Sequence, residues 1–212
     1  MVRNVSAPVV PAAPSRLSPA SRTDQLVAAG LVLVKRMPFD QVSAVDVARE
    51  AGVSKALVFH YFPTTGDLHA AILRAAADEL LEAIDVDPTL APGERLMLGL
   101  DTFVTYLEQQ PASYAVMSRS AGGDPRLLAV FEETRASTVA LIQSALGTDE
   151  LSPGMRIALR GWIAMVEESV LHWLDGRPVP REDLVSFLYE TAVAMLTVTA
   201  PPSFHLKGTD LG

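Results

Sequence analysis

A cluster of polar, basic and aromatic side chains occupies residues 54–61 and could bind a nucleic acid. Its members are Ser54, Lys55, Phe59, His60 and Tyr61, with the apolar Leu57 on or near the same face. Hydroxyl and ammonium groups bind phosphate oxygens, whereas apolar side chains contact thymine methyl groups, so the set could touch both backbone and bases. Val58 and Phe62 are four residues apart and would form the buried stripe of a helix, which leaves the cluster on or near the outer face. Such a helix fits the major groove of DNA.

The residues around this cluster have the spacing of a helix-turn-helix, the motif that would position it. Ala48 supplies a small residue where two helices cross, and Gly52 supplies a residue that tolerates positive φ in the turn. The apolar set that would hold the motif together is Val47, Ala51, Val53, Val58 and Phe62. An ordinary helical hairpin in a bundle is the alternative, but an aromatic cluster beside an N-terminal Ser-Lys pair is unusual for a buried hairpin. The spacing predicts a DNA-binding motif at 44–63.

The composition is that of a globular protein with a substantial core. The chain has 212 residues, of which 49% are hydrophobic and 20% charged, and it contains no cysteine. Disulfides, thiolate metal sites and thiol redox sensing are therefore excluded. Residues 1–19 contain four prolines and no continuous apolar run, so we expect a flexible tail and no secretory signal. The longest apolar runs, 26–34 and 191–200, are too short to span a bilayer, and we expect a cytoplasmic protein without a membrane segment.

Charge is divided unevenly along the chain. The net charge is −8, which alone would argue against a nucleic-acid partner. Residues 1–66, however, hold seven basic against four acidic residues, a net charge of +3, which leaves −11 on the remainder. A basic N-terminal unit on an acidic body turns the unit toward phosphates and keeps the body away from them. Chance segregation of solvated charges is the alternative.

Start and stop signals divide the chain into helices, and no segment alternates with period two. A first helix is expected to begin near Ser18 or Ser21, where Ser21 and Asp24 form a capping-box pattern, and to stop before Pro38. The other predicted helix starts are Ser43, Thr64 or Thr65, Asp124-Pro125 and Ser152-Pro153, and the last helix is expected at about 181–198.

These elements predict an all-α fold with two domains. We expect a three-helix helix-turn-helix DNA-binding domain at 20–66 and a helical ligand-binding and dimerisation domain at 67–200, joined by a connecting helix at 67–85. The ligand-binding role is expected from the family resemblance given below and not from the helices themselves. Residues 1–19 and 201–212 are expected to be tails.

The last two predicted helices are apolar on more than one side. One set contains Ile157, Ile163, Val166, Val170, Trp162, Met165 and Trp173, and the other contains Leu184, Phe187, Leu188, Leu196, Val185, Tyr189 and Val193. One core cannot bury both sides of such helices, so we expect a four-helix homodimer interface. A hairpin fully buried inside a monomer is the alternative.

The chain resembles the TetR family of bacterial transcriptional regulators over residues 21–73. The resemblance is carried by Val-Ser-Ala-Val-Asp-Val-Ala-Arg-Glu-Ala-Gly-Val-Ser-Lys-Ala at 42–56, by Phe-His-Tyr-Phe-Pro at 59–63 and by Asp67-Leu68. It implies that the DNA-binding residues are Ser43, Ser54, Lys55, Ala56, Leu57, Phe59, His60, Tyr61 and Thr65. Four of the chain's residues depart from the usual pattern: Phe59 replaces Tyr, Thr65 replaces a phosphate-binding Lys, Leu57 replaces a polar residue and Pro38 replaces Gly.

The resemblance also implies an operator-binding homodimer, expected to be a repressor that a small apolar effector releases. The segment from Phe103 to Tyr114 and the helix at Asp124-Pro125 are loosely similar to regulators of lipid metabolism that sense acyl-CoA, so the effector could be lipid-like or acyl-CoA-like. The expected ligand-binding residues are Phe103, Tyr106, Leu107, Tyr114, Met117, Phe131, Trp162, Met165, Val166 and Trp173, with Arg119, Arg135 or Glu168 as polar anchors. Packed core is the alternative for any one of them.

Enzyme chemistry is poorly supported by the sequence. Nucleophile elbows, phosphate-binding loops and dinucleotide fingerprints are absent. Glu168 and His172 are four residues apart and could face one metal, but a site needs three or four converging ligands. We expect no cofactor, no metal and no catalytic residue. The alternatives to a regulator are a helical ligand-binding or scaffold protein with weakened DNA binding and a metal-dependent helical enzyme.

Overall fold

The described residues fold into helices packed around one large hydrophobic core, with a smaller second cluster formed by Leu151, Met155, Leu159 and Leu196. The computed structural model describes residues 19–109 and 123–199, and all regular elements within these ranges are helical. They are α1 (Pro19–Val34), a short 3-10 turn (Phe39–Gln41), α2 (Ala44–Glu50), α3 (Lys55–Tyr61), α4 (Thr65–Ile84), α5 (Pro92–Gln109), α6 (Pro125–Ala145), α7 (Pro153–Leu174) and α8 (Arg181–Thr199). The all-α prediction is confirmed. The predicted tails fall largely on residues 1–18 and 200–212, outside the described residues.

Helices α1–α3 and the first half of α4 form what we call the N-terminal unit. Ser43 caps α2 in a capping box with Asp46, as expected. Gly52 adopts φ +66° in the turn between α2 and α3, a conformation that glycine takes at little cost. Gln25 of α1 donates a hydrogen bond to the Ala51 carbonyl (2.9 Å), which fixes that turn against α1. Together these contacts hold α3 at a defined angle to the rest of the unit.

The approach of α1 to α4 requires a glycine. A Cβ added at Gly30 would stand 2.4 Å from Cδ1 of Ile72, a side chain that is itself fully buried. The start of α1 at Pro19 agrees with the expected start near Ser18, whereas the capping box expected from Ser21 and Asp24 is wrong because Ser21 lies within the helix. Proline is favoured in the first turn of a helix, which explains the earlier start.

Helices α5–α8 and the second half of α4 form what we call the C-terminal bundle. Asp124 and Ser152 cap α6 and α7, each followed by proline in the first turn, as the sequence indicates. α4 packs along α6 and α5, and α7 packs along α8. Thr64 caps α4 in a second capping box, with Asp67. None of the described helices has the length and apolar content needed to cross a bilayer.

The outer face of the α7–α8 pair exposes fewer apolar side chains than the sequence indicates. Trp162, Ile163, Val170 and Leu188 belong to the core of their own chain, and the Trp162 indole donates to the Leu188 carbonyl (3.3 Å). The large apolar side chains left exposed on this pair are Ile157, Phe187 and Val198. The expectation that one chain could not bury two sides of these helices is therefore only partly right, because α5 and α6 cover most of the second side.

Candidate DNA-binding surface and ligand cavity

The outer face of α3 presents most of the residues predicted to bind DNA. Exposed side chains there and at the start of α4 are Ser54, Lys55, Ala56, Phe59, His60 and Thr65. The Lys55 ammonium lies 5.5 Å from the centre of the Phe59 ring, a cation–π distance. Phe59 therefore contacts the lysine as well as exposing an apolar surface to solvent.

Three of the predicted DNA-binding residues are half-buried and also have structural contacts. The Ser43 hydroxyl accepts from the Asp46 amide (3.3 Å) and donates to the Asp46 carboxylate (2.5 Å). Tyr61 packs against the core, with its ring edge-on to His60 at 5.1 Å between centroids. Leu57 is half-buried in the middle of α3. A change at Ser43 or Tyr61 would therefore disturb the local fold as well as the surface.

A cavity of about 980 Å³ lies inside the C-terminal bundle. Its wall is mostly apolar and comes from all five helices of the bundle, α4 to α8. The volume is at the upper end of the range typical of small-molecule sites, about 300–1,000 Å³. The arrangement can enclose an apolar ligand of considerable size.

Five of the ten residues predicted to bind the ligand line this cavity: Phe103, Tyr106, Phe131, Trp162 and Val166. Leu107, Met165 and Trp173 are not among its lining residues. Leu107 is fully buried in the core, and the Trp173 indole donates to the Val179 carbonyl (2.9 Å) beyond the end of α7. Tyr114 and Met117 lie outside the described residues, as does Arg119.

The cavity wall also contains residues that the sequence analysis missed. These include Leu73, Ala76, Leu80 and Ile84 of α4, Arg95 of α5, Thr134 of α6, and Val185 and Tyr189 of α8. The helical spacing of the α4 residues marked a buried face, but the spacing could not indicate that part of this face borders a cavity. Tyr106 donates from its hydroxyl to the Ala76 carbonyl (3.1 Å), which ties the cavity wall to the middle of α4.

Of the expected polar anchors, Arg135 lines the cavity and Glu168 does not. Arg135 lines the cavity and forms a close ion pair with Glu167 (Nη2–Oε2 2.5 Å). Glu168 and His172 are exposed on the outer side of α7, so the expected role of Glu168 in the cavity is wrong. Within the ranges 19–109 and 123–199, no group of three His, Cys, Asp or Glu side chains could hold a metal ion.

An arginine clasp, formed by Arg126, joins the two parts of the molecule. Arg126, in the first turn of α6, donates to Asp124 through Nε (3.0 Å) and Nη2 (2.8 Å). Its Nη1 donates to the Thr64 hydroxyl (3.0 Å) and to Asp67 (2.9 Å), the two capping-box residues of α4. The sequence analysis missed this contact, because 62 residues separate Thr64 from Arg126.

The clasp favours the ionised form of its carboxyl groups. The hydroxyl of Thr64 lowers the pKa of Asp67, with a further contribution from Arg126. The guanidinium of Arg126 lowers the pKa of Asp124. The clasp therefore holds the start of α4 to the start of α6 as long as both carboxyl groups are charged.

Comparison with known proteins extends these observations. The family model described as bacterial regulatory proteins, tetR family, matches residues 26–72, and the model described as Tetracyclin repressor-like, C-terminal domain, matches residues 92–195. The HTH-type transcriptional activator FasR of Mycolicibacterium smegmatis is 23% identical over 173 residues, which cover 77% of each chain.

Solved structures share the fold. A tetR-family transcriptional regulator from Streptomyces coelicolor aligns with a TM-score of 0.74 and 29% identity over 84% of this chain and 83% of that one. The multidrug binding protein EbrR, solved with proflavin, aligns with a TM-score of 0.63 and 20% identity over 82% of this chain and 99% of that one.

Members of this family are DNA-binding regulators and not enzymes, they typically act as dimers, and they respond to small-molecule effectors. The two family models together cover the helix-turn-helix and most of the C-terminal bundle, in the order in which the structure arranges them. The chain belongs to the TetR family of bacterial transcriptional regulators.

Proposed function

We propose that this regulator is a homodimeric repressor that binds a pseudo-palindromic operator through α3 and is released when a mainly apolar effector fills the cavity. The observation that carries the proposal is that α4 belongs to both sites. Its first residue, Thr65, is exposed beside the α3 surface, and Leu73, Ala76 and Ile84 of the same helix line the cavity. A ligand that moves α4 therefore moves the N-terminal unit with it.

Contact with DNA is supported by the exposed face of α3 and by the charge of the N-terminal residues. Lys55 and His60 are exposed, and the N-termini of α3 and α4 can present backbone amides to phosphates. Because Thr65 offers a hydroxyl where a lysine is usual, we expect fewer charged contacts and a smaller dependence of affinity on salt than a lysine there would give.

Dimerisation is supported by the outer face of α7 and α8. Ile157, Phe187 and Val198 are exposed there, 76%, 51% and 84% respectively, and Gly161 and Ala164 leave room for a second helix to approach. A second copy of this chain would cover these side chains in a four-helix interface. The two α3 helices would then reach successive major grooves, about 34–36 Å apart.

The proposed direction of regulation rests on α4, which borders the cavity and also begins beside α3. We propose that the effector pushes α4 away from α5 and α6 and changes the spacing of the two α3 helices, so that the effector binds best to the form with low DNA affinity. FasR, whose name describes an activator, is a relative of low identity. Transcription from the operator-bearing promoter, measured with and without the protein, distinguishes a repressor from an activator.

The test is fluorescence anisotropy with duplexes that tile the DNA on both sides of the gene for this protein. We expect one duplex to bind specifically and salt-dependently, and Lys55→Gln to lower the slope of log affinity against log salt by about one unit. Arg156→Gln, which makes the same change of charge at an exposed site on α7, is the matched control. Absence of specific binding to every duplex would contradict the proposal and favour a ligand-binding or scaffold protein.

The dimer is tested in the same assay and by sedimentation. Phe187→Arg should give a monomer and weaken operator binding, because it places a charge at the centre of the expected interface. Leu128→Arg is the control, because Leu128 is 45% exposed on α6 and not on the α7–α8 face. Equal behaviour of the two variants would contradict the interface.

A further inference from the structure

One arginine of the cavity wall has a buried donor atom without a hydrogen-bond partner in the described part of the chain. Arg95 lies in the first turn of α5, and its side chain is only 11% exposed. Its Nε is buried and has no hydrogen-bond partner among the described residues. The ion pair of Arg95 with Asp85 is long, with 3.8 Å between Nη2 and Oδ1, and Asp85 is 55% exposed. This distance exceeds hydrogen-bond length, and water screens the attraction.

The other arginines of the cavity wall are already paired. Arg135 bonds Glu167 through Nε and Nη2, with Nε at 3.2 Å from each carboxylate oxygen. Arg181 bonds Asp101 (2.5 Å) and Glu108 (3.1 Å) and also the Thr105 hydroxyl (2.7 Å). Arg95 differs from Arg135 and Arg181 because its guanidinium can donate to a new partner without breaking an existing hydrogen bond.

The acidic residues of the cavity wall do not supply Arg95 with a comparable partner. Asp101 and Glu167 are committed to the arginines just described, and Glu94 accepts from the Ala91 amide (3.1 Å). Asp85 and Glu182 are exposed at the rim, where solvent weakens their field. A charge buried in an apolar wall interacts more strongly than a solvent-exposed charge at the rim. Arg95 therefore makes the interior of the cavity favourable for an anionic group.

The Tyr189 hydroxyl is a second hydrogen-bond donor of the cavity wall. The Tyr189 hydroxyl is so close to Gly93, the residue two before Arg95, that a Cβ added there would stand 2.8 Å from it. Gly93, Arg95 and Tyr189 all line the cavity. A phenol hydroxyl and a guanidinium are both hydrogen-bond donors, and the apolar wall beyond them is formed by residues such as Phe103 and Phe131.

We propose that the effector is an amphipathic carboxylate, whose head group binds Arg95 and whose hydrocarbon body fills the apolar part of the cavity. A carboxylate can accept from Nε and one Nη together once the side chain turns toward the cavity, which satisfies the buried donor. A phosphate monoester carries more charge than one guanidinium offsets and is repelled more strongly by the rim acids. The inference rests on the proposed function only in taking this cavity as the effector site.

The first experiment compares head groups on one ten-carbon chain. Binding of decanoate, decanol, decylamine and decyl phosphate to the full-length protein is measured by calorimetry, below the concentrations at which they form micelles. We expect decanoate to bind about tenfold more tightly than decanol, because it gains charge-assisted hydrogen bonds. Decylamine and decyl phosphate should bind more weakly than decanoate. Equal affinity for decanoate and decanol, or a preference for the amine or the phosphate, would overturn the assignment.

The second experiment removes the guanidinium. Arg95→Gln should lower the affinity for decanoate about tenfold and leave that for decanol unchanged. Arg156→Gln, the same substitution at an exposed position, should change neither affinity. Arg95→Gln also removes a buried donor without a partner, so we expect it to fold and to melt no lower than the parent protein. An unchanged affinity of Arg95→Gln for decanoate would overturn the role of Arg95.

The two experiments distinguish a failure of the carboxylate assignment from a failure of the proposed effector cavity. If decanol binds and the head group makes no difference, the cavity remains an apolar effector site but the carboxylate assignment is wrong. If none of the four compounds binds, both the assignment and the proposed effector cavity fail. The head-group comparison uses the unaltered protein, so it decides the question even if a variant does not fold.

Discussion

The N-terminal unit and the C-terminal bundle are built from the same kind of capped amphipathic helices but differ in how they fill their interiors. In the N-terminal unit, Leu26, Phe39 and Val47 are at most 1% exposed, and α1 approaches α4 so closely that only glycine fits at position 30. The C-terminal bundle surrounds a cavity of about 980 Å³ that is partly open to solvent. A unit that must present α3 at a fixed angle requires close packing, whereas a bundle that admits a ligand requires interior space.

This difference predicts how the two parts respond to lost volume. Phe39→Ala should destabilise the protein by about 3–5 kcal/mol, because it leaves a new cavity in a close-packed core. Phe103→Ala, in a wall that already borders a cavity, should cost about 1 kcal/mol because it opens little new enclosed space. Urea unfolding of the two variants measures both values.

Ligand binding provides the control for this pair of substitutions. Phe103→Ala should weaken the binding of apolar ligands such as decanol, whereas Phe39→Ala should leave it unchanged under conditions in which the variant is folded. If both substitutions destabilised the protein equally, the cavity would be filled by the chain in solution, and the contrast between the two parts would be wrong.

The N-terminal unit could be predicted largely from the sequence because its signals are local. The capping box of Ser43 lies within three residues of Asp46, and the turn glycine Gly52 lies between two short helices. Hydrogen bonds and backbone conformations of this range depend on neighbours in the chain. The outer face of α3 follows from them, because one buried residue, Val58, fixes which side of a seven-residue helix faces solvent.

The site in the C-terminal bundle was predicted only in part because it is assembled from distant residues. Tyr106 and Leu107 are neighbours on α5, yet Tyr106 lines the cavity and Leu107 lies in the core. Both are apolar positions on one amphipathic helix, and the direction in which each points depends on how α4, α6 and α8 pack around α5. The unsatisfied Nε of Arg95 likewise depends on tertiary packing, which hydropathy does not report.

Two turn glycines, one in each part of the molecule, have nearly the same backbone φ. Gly52 has φ +66° and Gly147, after α6, has φ +64°, and neither has an atom within 4 Å of an added Cβ. Alanine at either position should cost about 1 kcal/mol, because a left-handed conformation is unfavourable for a residue with a Cβ. Thermal melts should show similar losses for Gly52→Ala and Gly147→Ala.

The functional effects of these two variants should differ. Only Gly52→Ala should also lower operator affinity, because a change in the turn alters the angle of α3. Gly147→Ala changes a loop of the C-terminal bundle and should leave operator affinity unchanged. Equal operator affinity in the two variants would mean that the turn does not set the reading angle of α3.

The smallest expected effect concerns the arginine clasp, where the two parts meet. Asp67 and Asp124 have pKa values below the ordinary 3.8 because the Thr64 hydroxyl and the Arg126 guanidinium, respectively, bind their ionised forms. A carboxyl group with a lowered folded-state pKa stabilises the fold at pH above its ordinary value and loses this contribution as the pH falls through the lowered value. Arg126→Gln should raise the pKa of Asp124 more than that of Asp67, and Thr64→Ala should raise mainly that of Asp67. Carboxyl carbon NMR titrations measure each value, with Arg156→Gln as the control. If Arg126→Gln changed neither pKa, the clasp would be open in solution, and the N-terminal unit would be joined to the bundle through the packing of α4 alone.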